Sequence, residues 1–300
     1  MTNPIKYVDR ESGKLVAESV MGDKALKFAY NTLLGRTLWP VLFGSKLISA
    51  LMGRKYDSPS SKKDIAKLIS IPGCRADEAE RPVESYGSFN EFFIRRLKPG
   101  ARPLGEGIVS PADGRLKLYL NAGLDTPFPL KGATKSLRQV LNFSIGQSVN
   151  RSIGQFSHYD IAVFRLAPVD YHRFHFPFDC VTNEPVAVIP GKYHSVNPIA
   201  LLRYPDVYAD NERQVARCET NFGSAFLIDV GAFGVGTIIQ TFSGLSHAKG
   251  DEKGYFKFGG STIVMVTEAG KLKFDDDLVK NSASGLETRV KALERIAIEA

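Results

Sequence analysis

Apolar and polar positions follow one rhythm up to about residue 100 and another beyond it. In the first part apolar residues recur at helical spacing between capping signals. Residues 23–53 predict two helices with a break near Trp39-Pro40. Ser61-Lys62-Lys63-Asp64 has the form of a capping box, opening a short helix that Pro72-Gly73 ends. Ser88-Phe89-Asn90-Glu91 is a second box, opening a helix through Leu97 that Pro99-Gly100 stops. From Arg102 onward short apolar runs alternate with Gly, Pro and Asn. The runs Leu116–Leu120, Ile161–Leu166, Val186–Ile189, Ser224–Val230, Thr237–Phe242 and Ser261–Thr267 predict strands, mostly antiparallel by their spacing. Ser284-Gly285-Leu286-Glu287 is a third box, and Leu286, Val290, Leu293 and Ala297 share one face of an expected C-terminal helix. No internal repeat or low-complexity segment interrupts the pattern. The expected class is α+β. A helical N-terminal arm, residues 1–100, precedes a β-rich, mostly antiparallel domain, residues 101–300, with a C-terminal helix and a boundary at Lys98 to Gly107.

Composition changes this picture in two places. The 300 residues suffice for one large domain or two smaller ones. Cys74, Cys180 and Cys218 are widely scattered, which argues against a disulfide framework and suits a reducing compartment. Asp9, Glu11 and Glu18 make the N-terminus polar, so neither a secretory signal nor an acid-poor transit peptide is expected. Charge is unevenly placed. Of a net charge of +7, most of the excess falls between residues 20 and 70, where nine basic residues face three acidic ones. The same stretch carries Phe28, Trp39, Leu42, Phe43 and other large apolar groups. Its longest uncharged apolar run, Thr37 to Ser45, contains Pro40 and Gly44 and is far short of the ~20 residues a spanning helix needs. Basic, apolar and broken, the stretch fits an arm lying in a membrane interface; a helical cap with solvated lysines is the alternative. Nucleic acid is not an expected partner, because the basic residues accompany no recognised binding motif.

Three segments carry candidate chemistry. Phe258-Gly259-Gly260-Ser261-Thr262 places a serine behind two glycines, with no side chain on Gly260 to block approach to its carbonyl. Ser110-Pro111-Ala112-Asp113-Gly114-Arg115 holds an acid in a turn. Asp170-Tyr171-His172-Arg173-Phe174-His175 sets two histidines three apart. Alone, each has a plain reading: a Gly-Gly turn entering a strand, an Asp-Gly turn, and buried structural histidines or a metal pair. Metal is disfavoured because no Cys or carboxylate stands at ligand spacing, Asp170 and Asp179 being the nearest candidates. Together, Asp, His and Ser in separate segments are the parts of a nucleophilic triad.

In order along the chain, these motifs resemble the phosphatidylserine decarboxylase family of pyruvoyl-dependent, self-cleaving proenzymes. The resemblance covers Phe89 through Pro103 (Phe-Asn-Glu-Phe-Phe-Ile-Arg-Arg-Leu-Lys-Pro-Gly-Ala-Arg-Pro), Ser110 to Gly114, Tyr171 to His175, Val230-Gly231-Ala232 with Val235-Gly236, and Lys249-Gly250 through Thr262. Many relatives are cut at Leu-Gly-Ser or Gly-Gly-Ser followed by Thr, and this chain has the Gly-Gly form. The resemblance implies that Ser261 attacks the Gly260 carbonyl, with His175 as base and Asp113 orienting it. The products are a large chain 1–260 and a small chain 261–300 that begins with a pyruvoyl group made from Ser261. That group forms a Schiff base with phosphatidylserine, carbon dioxide leaves, and His172 returns a proton to give phosphatidylethanolamine. The implied cofactor is the pyruvoyl group alone, with no metal. The expected location is peripheral, on the cytoplasmic face of the cell membrane, and a homodimer is left open. A decarboxylase of another serine phospholipid, such as an archaeal ether lipid, and a Ser-His-Asp hydrolase are the competing readings. On an extended segment, residues three apart point to opposite sides, so a site using both histidines needs a bend between them.

Overall fold

The computed structural model describes residues 6–18, 46–126, 128–130, 133–141, 156–182, 186–191, 211–231, 238–258 and 261–300. Its frame is an eleven-stranded sheet. Five long strands lie side by side at the centre, in the order Arg213–Thr220, Gly223–Val230, Ser261–Glu268, Tyr159–Leu166 and Gly114–Ala122. Glu287–Val290 and the hairpin Lys6–Asp9 with Lys14–Ala17 extend it at one edge. Cys180–Val181 and Ser246–His247 extend it at the other, and Ala187–Ile189 pairs off the Arg213–Thr220 strand. All of these pairings are antiparallel except Lys6–Asp9 on Glu287–Val290.

Alternation along the central strands gives the sheet two buried faces. Leu116, Leu118, Phe164, Leu166, Leu227, Ile263 and Met265 point to one side. There they meet Phe174, Ile238 and Phe256 from a three-stranded sheet of Arg173–His175, Ile238–Gln240 and Glu252–Phe256. The other face, with Ile161, Val163, Phe226, Ile228, Val264 and Val266, forms a second core with Leu137 and Val140. A third core belongs to the helices Lys46–Asp57, Lys63–Ile69 and Phe89–Phe93. Ile65, Leu68, Phe89, Phe92 and Phe93 close over Ala167 and Val169, which lead out of the central strand Tyr159–Leu166.

A row of charge crosses the second face. Register sets Arg165 beside Arg115, and Arg115 beside Arg289. Arg165 and Arg115 are buried, and like charges side by side in a sheet repel. Carboxylates from three distant segments offset them. Arg165 donates to Glu287 (2.8 Å) and to both oxygens of Glu18 (3.0 and 2.8 Å). Arg115 binds Asp170 and lies 3.4 Å from Glu18.

The strand expectations hold in position. Gly114–Ala122, Tyr159–Leu166, Gly223–Val230 and Ser261–Glu268 each cover an anticipated run, and the shorter Ala187–Ile189 and Ile238–Gln240 fall inside theirs. The expected C-terminal helix is not there. Its residues form the strands Glu287–Val290 and Arg295–Glu299, and the helix lies earlier, at Asp276–Ala283. Gly285, at φ +81, stops that helix rather than starting another, and Leu286 N–H closes it on Asn281 O at 2.9 Å. The 286, 290, 293, 297 spacing misleads because Leu293 sits in a left-handed turn, φ 66, between two strands. The helical N-terminal arm needs correction too. Residues 6–17 are a hairpin on the main sheet, and Lys6–Asp9 gains a parallel partner there. Of the two helices expected over 23–53, residues 19–45 lie outside the described residues. The helix at Ser88 ends at Phe93, short of Leu97, which bridges to Ala79 instead.

Two glycines separate backbone geometry from space. A Cβ on Gly254 would stand 2.2 Å from Ile239 O and 2.7 Å from Phe174 Cζ, within the paired strands. A Cβ on Gly285 would meet nothing within 4 Å, leaving only the cost of its positive φ. In thermal melts, Gly285→Ala is expected to remain folded and lose about 1–2 kcal/mol. Gly254→Ala is expected to lose several times more, or to fail to accumulate as folded protein.

Candidate active site

Strand register brings the three flagged segments to one end of the large sheet. Ser261 opens its strand opposite Leu166, and Gly114 stands on the far side of that residue, one step beyond the Arg115–Arg165 pair. Asp113 therefore lies about two strand spacings from Ser261, roughly 10 Å along the sheet. At the same end the chain leaves Leu166 and turns through Ala167–Asp170 toward Tyr171 and His172. Asp170 fastens that turn. Its Oδ2 accepts Ala167 N–H at 2.6 Å and receives Arg115 Nη1. Burial pushes the Asp170 carboxyl upward in pKa against the pull of Arg115.

Ser261 is fully buried on the face shared with Ile263 and Met265. Its Oγ has no hydrogen-bond partner among the described residues. An orphaned hydroxyl in a core costs about 1–3 kcal/mol, a cost that Ala at this position would not carry. Gly259 and Gly260 lie outside the described residues.

Asp113 is bound on both oxygens. Arg102 Nε donates to Oδ1 at 2.8 Å and Nη2 to Oδ2 at 2.6 Å, while Ala292 N–H donates to Oδ1 at 2.7 Å. Burial raises the carboxyl pKa, but the hydrogen bonds and charge of Arg102 outweigh it and hold Asp113 below the usual carboxylate range. Arg102 is held in turn by Glu78 at 2.7 Å.

His175 is seated by its backbone, whose N–H donates to Pro111 O at 2.8 Å. Its Nδ1 lies 2.9 Å from Gly250 O. A carbonyl can only accept, so Nδ1 carries the proton and Nε2 is left as an acceptor facing the Tyr171 hydroxyl at 3.4 Å. The expected hydrogen bond from His175 to Asp113 is not formed: Arg102 and Ala292 occupy the carboxylate, and the Gly250 carbonyl orients the imidazole. The negative charge of Asp113 still makes both histidines more basic. Burial outweighs this at His175 and lowers its pKa.

His172 lies in the bend before the strand Arg173–His175 and is fully buried. Its Nδ1 is 3.0 Å from Asp170 O, and its Nε2 has no partner among the described residues. Its ring packs on Phe93 with centroids 3.9 Å apart. Burial pushes its pKa down to about 3. The two imidazoles thus share no partner: one sits under Phe93, the other against Tyr171 and Gly250.

The family profile described as phosphatidylserine decarboxylase matches residues 89–298. A phosphatidylserine decarboxylase proenzyme of Clostridium novyi is 40% identical, over 97% of this chain and 98% of its own. Proenzymes of the same name from Fusobacterium nucleatum and Chlamydia pneumoniae are each 37% identical, the first covering 98% of both chains and the second 95% of this chain and 94% of its own. The chain belongs to the phosphatidylserine decarboxylase family. The decarboxylase profile begins at the helix Phe89–Phe93 and takes in Asp113, His172, His175 and Ser261.

Sequence reasoning missed four residues that support this candidate site: Arg102 on Asp113, Gly250 through its carbonyl on His175, and Asp170 with Arg115. Arg102 and Gly250 stand inside the runs that carry the resemblance, but nothing in a sequence says which carboxylate or imidazole they meet. A depressed histidine pKa ties folding to pH. The fold holds His172 neutral, whereas the unfolded chain takes up a proton near pH 6.5. The stabilisation is therefore complete above about pH 6.5 and is lost as pH falls toward 3. Denaturant midpoints measured from pH 7.5 to 4.5 are expected to fall for the native sequence and to fall less steeply for His172→Gln.

Proposed function

We propose that the chain converts phosphatidylserine to phosphatidylethanolamine and carbon dioxide, using a pyruvoyl group that it makes by cutting itself between Gly260 and Ser261. The observation that carries this reading is the Ser261 hydroxyl, buried without a partner among the described residues at the start of a central strand and directly behind two glycines. In the first stage Ser261 Oγ attacks the Gly260 carbonyl carbon, and the amide becomes an ester. His175 takes the hydroxyl proton. Its Nδ1–H is fixed on Gly250 O, which leaves the lone pair on Nε2. Asp113 acts through its charge, kept ionised by Arg102. Elimination across the Ser261 Cα–Cβ bond then frees Gly260 as a carboxylate, and hydrolysis of the remaining enamine releases ammonia and leaves the keto group.

The residues present fit that group: an N-terminal ketone at position 261 would be buried beside Leu166, where the Ser261 hydroxyl has no partner among the described residues. When present, it supplies an electron sink that lets the serine carboxylate of the substrate leave as carbon dioxide. His172 is assigned the return of a proton to the substrate carbon. Its Nε2 is free of partners among the described residues, and the ring is held by Phe93 and Asp170 O. Because burial keeps this imidazole neutral in the uncut chain, the assignment requires that the cut admit water and substrate beside it.

No helix among the described residues is long and apolar enough to cross a membrane. We place the chain on the membrane surface through its basic segment, part of which is the helix Lys46–Asp57 with Lys46, Arg54 and Lys55.

Intact-mass spectrometry under denaturing conditions tests the first stage. The native sequence should give two pieces, 1–260 and a keto-blocked 261–300, while Ser261→Ala and His175→Ala stay whole. His172→Ala should be cut and lose decarboxylation by about 10²-fold or more. A native chain that stays whole overturns the reading, and cleavage lost in His172→Ala but kept in His175→Ala exchanges the two roles. Vesicle sedimentation tests the surface assignment. Reversing Lys24, Lys27 and Arg36 to Glu should weaken binding to anionic vesicles by about 10²-fold or more, at roughly 1 kcal/mol for each basic residue lost.

A further inference from the structure

The residues just before the proposed cut are held by the helical segment rather than by the sheet. Strand pairing of Glu252–Phe256 ends at Phe256, whose N–H donates to His172 O at 2.9 Å. Two residues on, Phe258 N–H donates to Asn90 Oδ1 at 3.0 Å. The Phe258 ring stands edge-on to Tyr56, Phe89 and Phe93, with centroids 4.6, 4.8 and 5.2 Å apart. Lys257 Nζ reaches Asp57 Oδ2 at 3.1 Å. Asn90 is buried inside the helix Phe89–Phe93, and its amide is used at both ends, since Nδ2 donates to Asp57 Oδ1 at 2.9 Å.

On the other side of the cut, Ser261 and Thr262 are fixed by register to Leu166, Arg165 and Val230. Only Gly259 and Gly260 separate the two anchored points. Glycine has the widest backbone freedom of any residue, so the range open to the Gly260 carbonyl depends on how firmly both ends are held. Self-attack needs that carbonyl at near-bonding distance and along the right line from Ser261 Oγ, and a displacement of about 1 Å can cost 10²-fold in rate.

We infer that Asn90 is a positioning residue for self-cleavage, tying the N-terminal side of the Gly260–Ser261 bond to the helical segment. The inference rests on the self-cleavage reading above. Asn90 touches neither reacting atom. It acts through Phe258 N–H, and the aromatic cage around Phe258 supports it. The helices over residues 46–93 thereby gain a role in maturation that is separate from any contact with lipid.

The test follows cleavage of freshly purified precursor by intact mass over time, with the native sequence and Ser261→Ala alongside. Asn90→Ala is expected to be cut at least tenfold more slowly than the native chain while keeping a cooperative melt. Asn90→Asp should also be slow, because it sets a carboxylate against Asp57. Adding Asp57→Asn restores a donor opposite the new carboxylate, which still accepts Phe258 N–H, and is expected to recover most of the rate. That recovery is what a general loss of packing would not produce, and it decides the case if Asn90→Ala does not fold. Hydroxylamine, which cleaves esters, should not hasten scission in Asn90→Ala, since the defect lies in forming the ester. A native chain that is not cut defeats the self-cleavage reading itself. With the native chain cut, three results would each overturn the role of Asn90: Asn90→Ala cut at the native rate, a folded double variant that stays slow, or rescue of Asn90→Ala by hydroxylamine.

Discussion

Two buried arginines side by side, Arg115 and Arg165, set the terms on which this molecule folds. Neither can be left unpaired in a core, where removing one partner of a buried ion pair typically costs about 3–5 kcal/mol. Glu18 comes from the segment after the N-terminal hairpin, Asp170 from the turn after the central strand Tyr159–Leu166, and Glu287 from the strand Glu287–Val290 near the C-terminus. One electrostatic constraint therefore brings three remote parts of the chain to the same row. Asp170 then fixes the turn from which His172 projects, so the neutralisation of Arg115 is also what seats the histidine segment.

The same row explains why the candidate chemistry collects at one end of the sheet. One residue beyond Arg165 and Arg115 lie Leu166 and Gly114, with Ser261 beside Leu166 and Asp113 beside Gly114. Arg115 and Arg165 lie on the second face, and Ser261 points to the first, where it shares a layer with Leu166, Ile263 and the buried Asp229–Lys253 pair. Alternation by a single residue separates the arginine row from the face that carries the serine. Asp113 stands where the two meet, anionic because Arg102 grips both oxygens.

Much of this was legible in the chain, for physical reasons that differ by element. The central strands bury both faces, so they read as continuous apolar runs and were found. Arg213–Thr220 escapes such a reading because charged residues interrupt its apolar run, buried Arg213 meeting Asn211 O at 2.7 Å and half-exposed Arg217 meeting Glu219 at 2.6 Å. The apolar spacing through Glu287–Val290 and Arg295–Glu299 fits either period, and only the left-handed Leu293 decides for strands. At the site, the sequence named the side chains but not their partners. Asp113 was expected on His175 and is on Arg102, because a bidentate guanidinium outcompetes a neutral imidazole for a buried carboxylate.

Ser261–Glu268 is the middle strand of the long five, laddered on both sides along nearly its whole length. With the proposed cut at its first residue, the forty residues that follow would hold the centre of the sheet, one of its extensions and the helix Asp276–Ala283 without being joined to the rest. Folding of the intact chain is a unimolecular event, whereas regaining the same structure from two separated pieces is bimolecular. The released piece would begin with the keto residue at position 261 followed by Thr262-Ile263-Val264-Met265-Val266, a β-prone, uncharged segment suited to pairing with copies of itself. Maturation would thus be a one-way step for the architecture as well as for the chemistry. Afterwards the persistence of the molecule would depend on how slowly its sheet opens, not on a balance it could re-establish after opening.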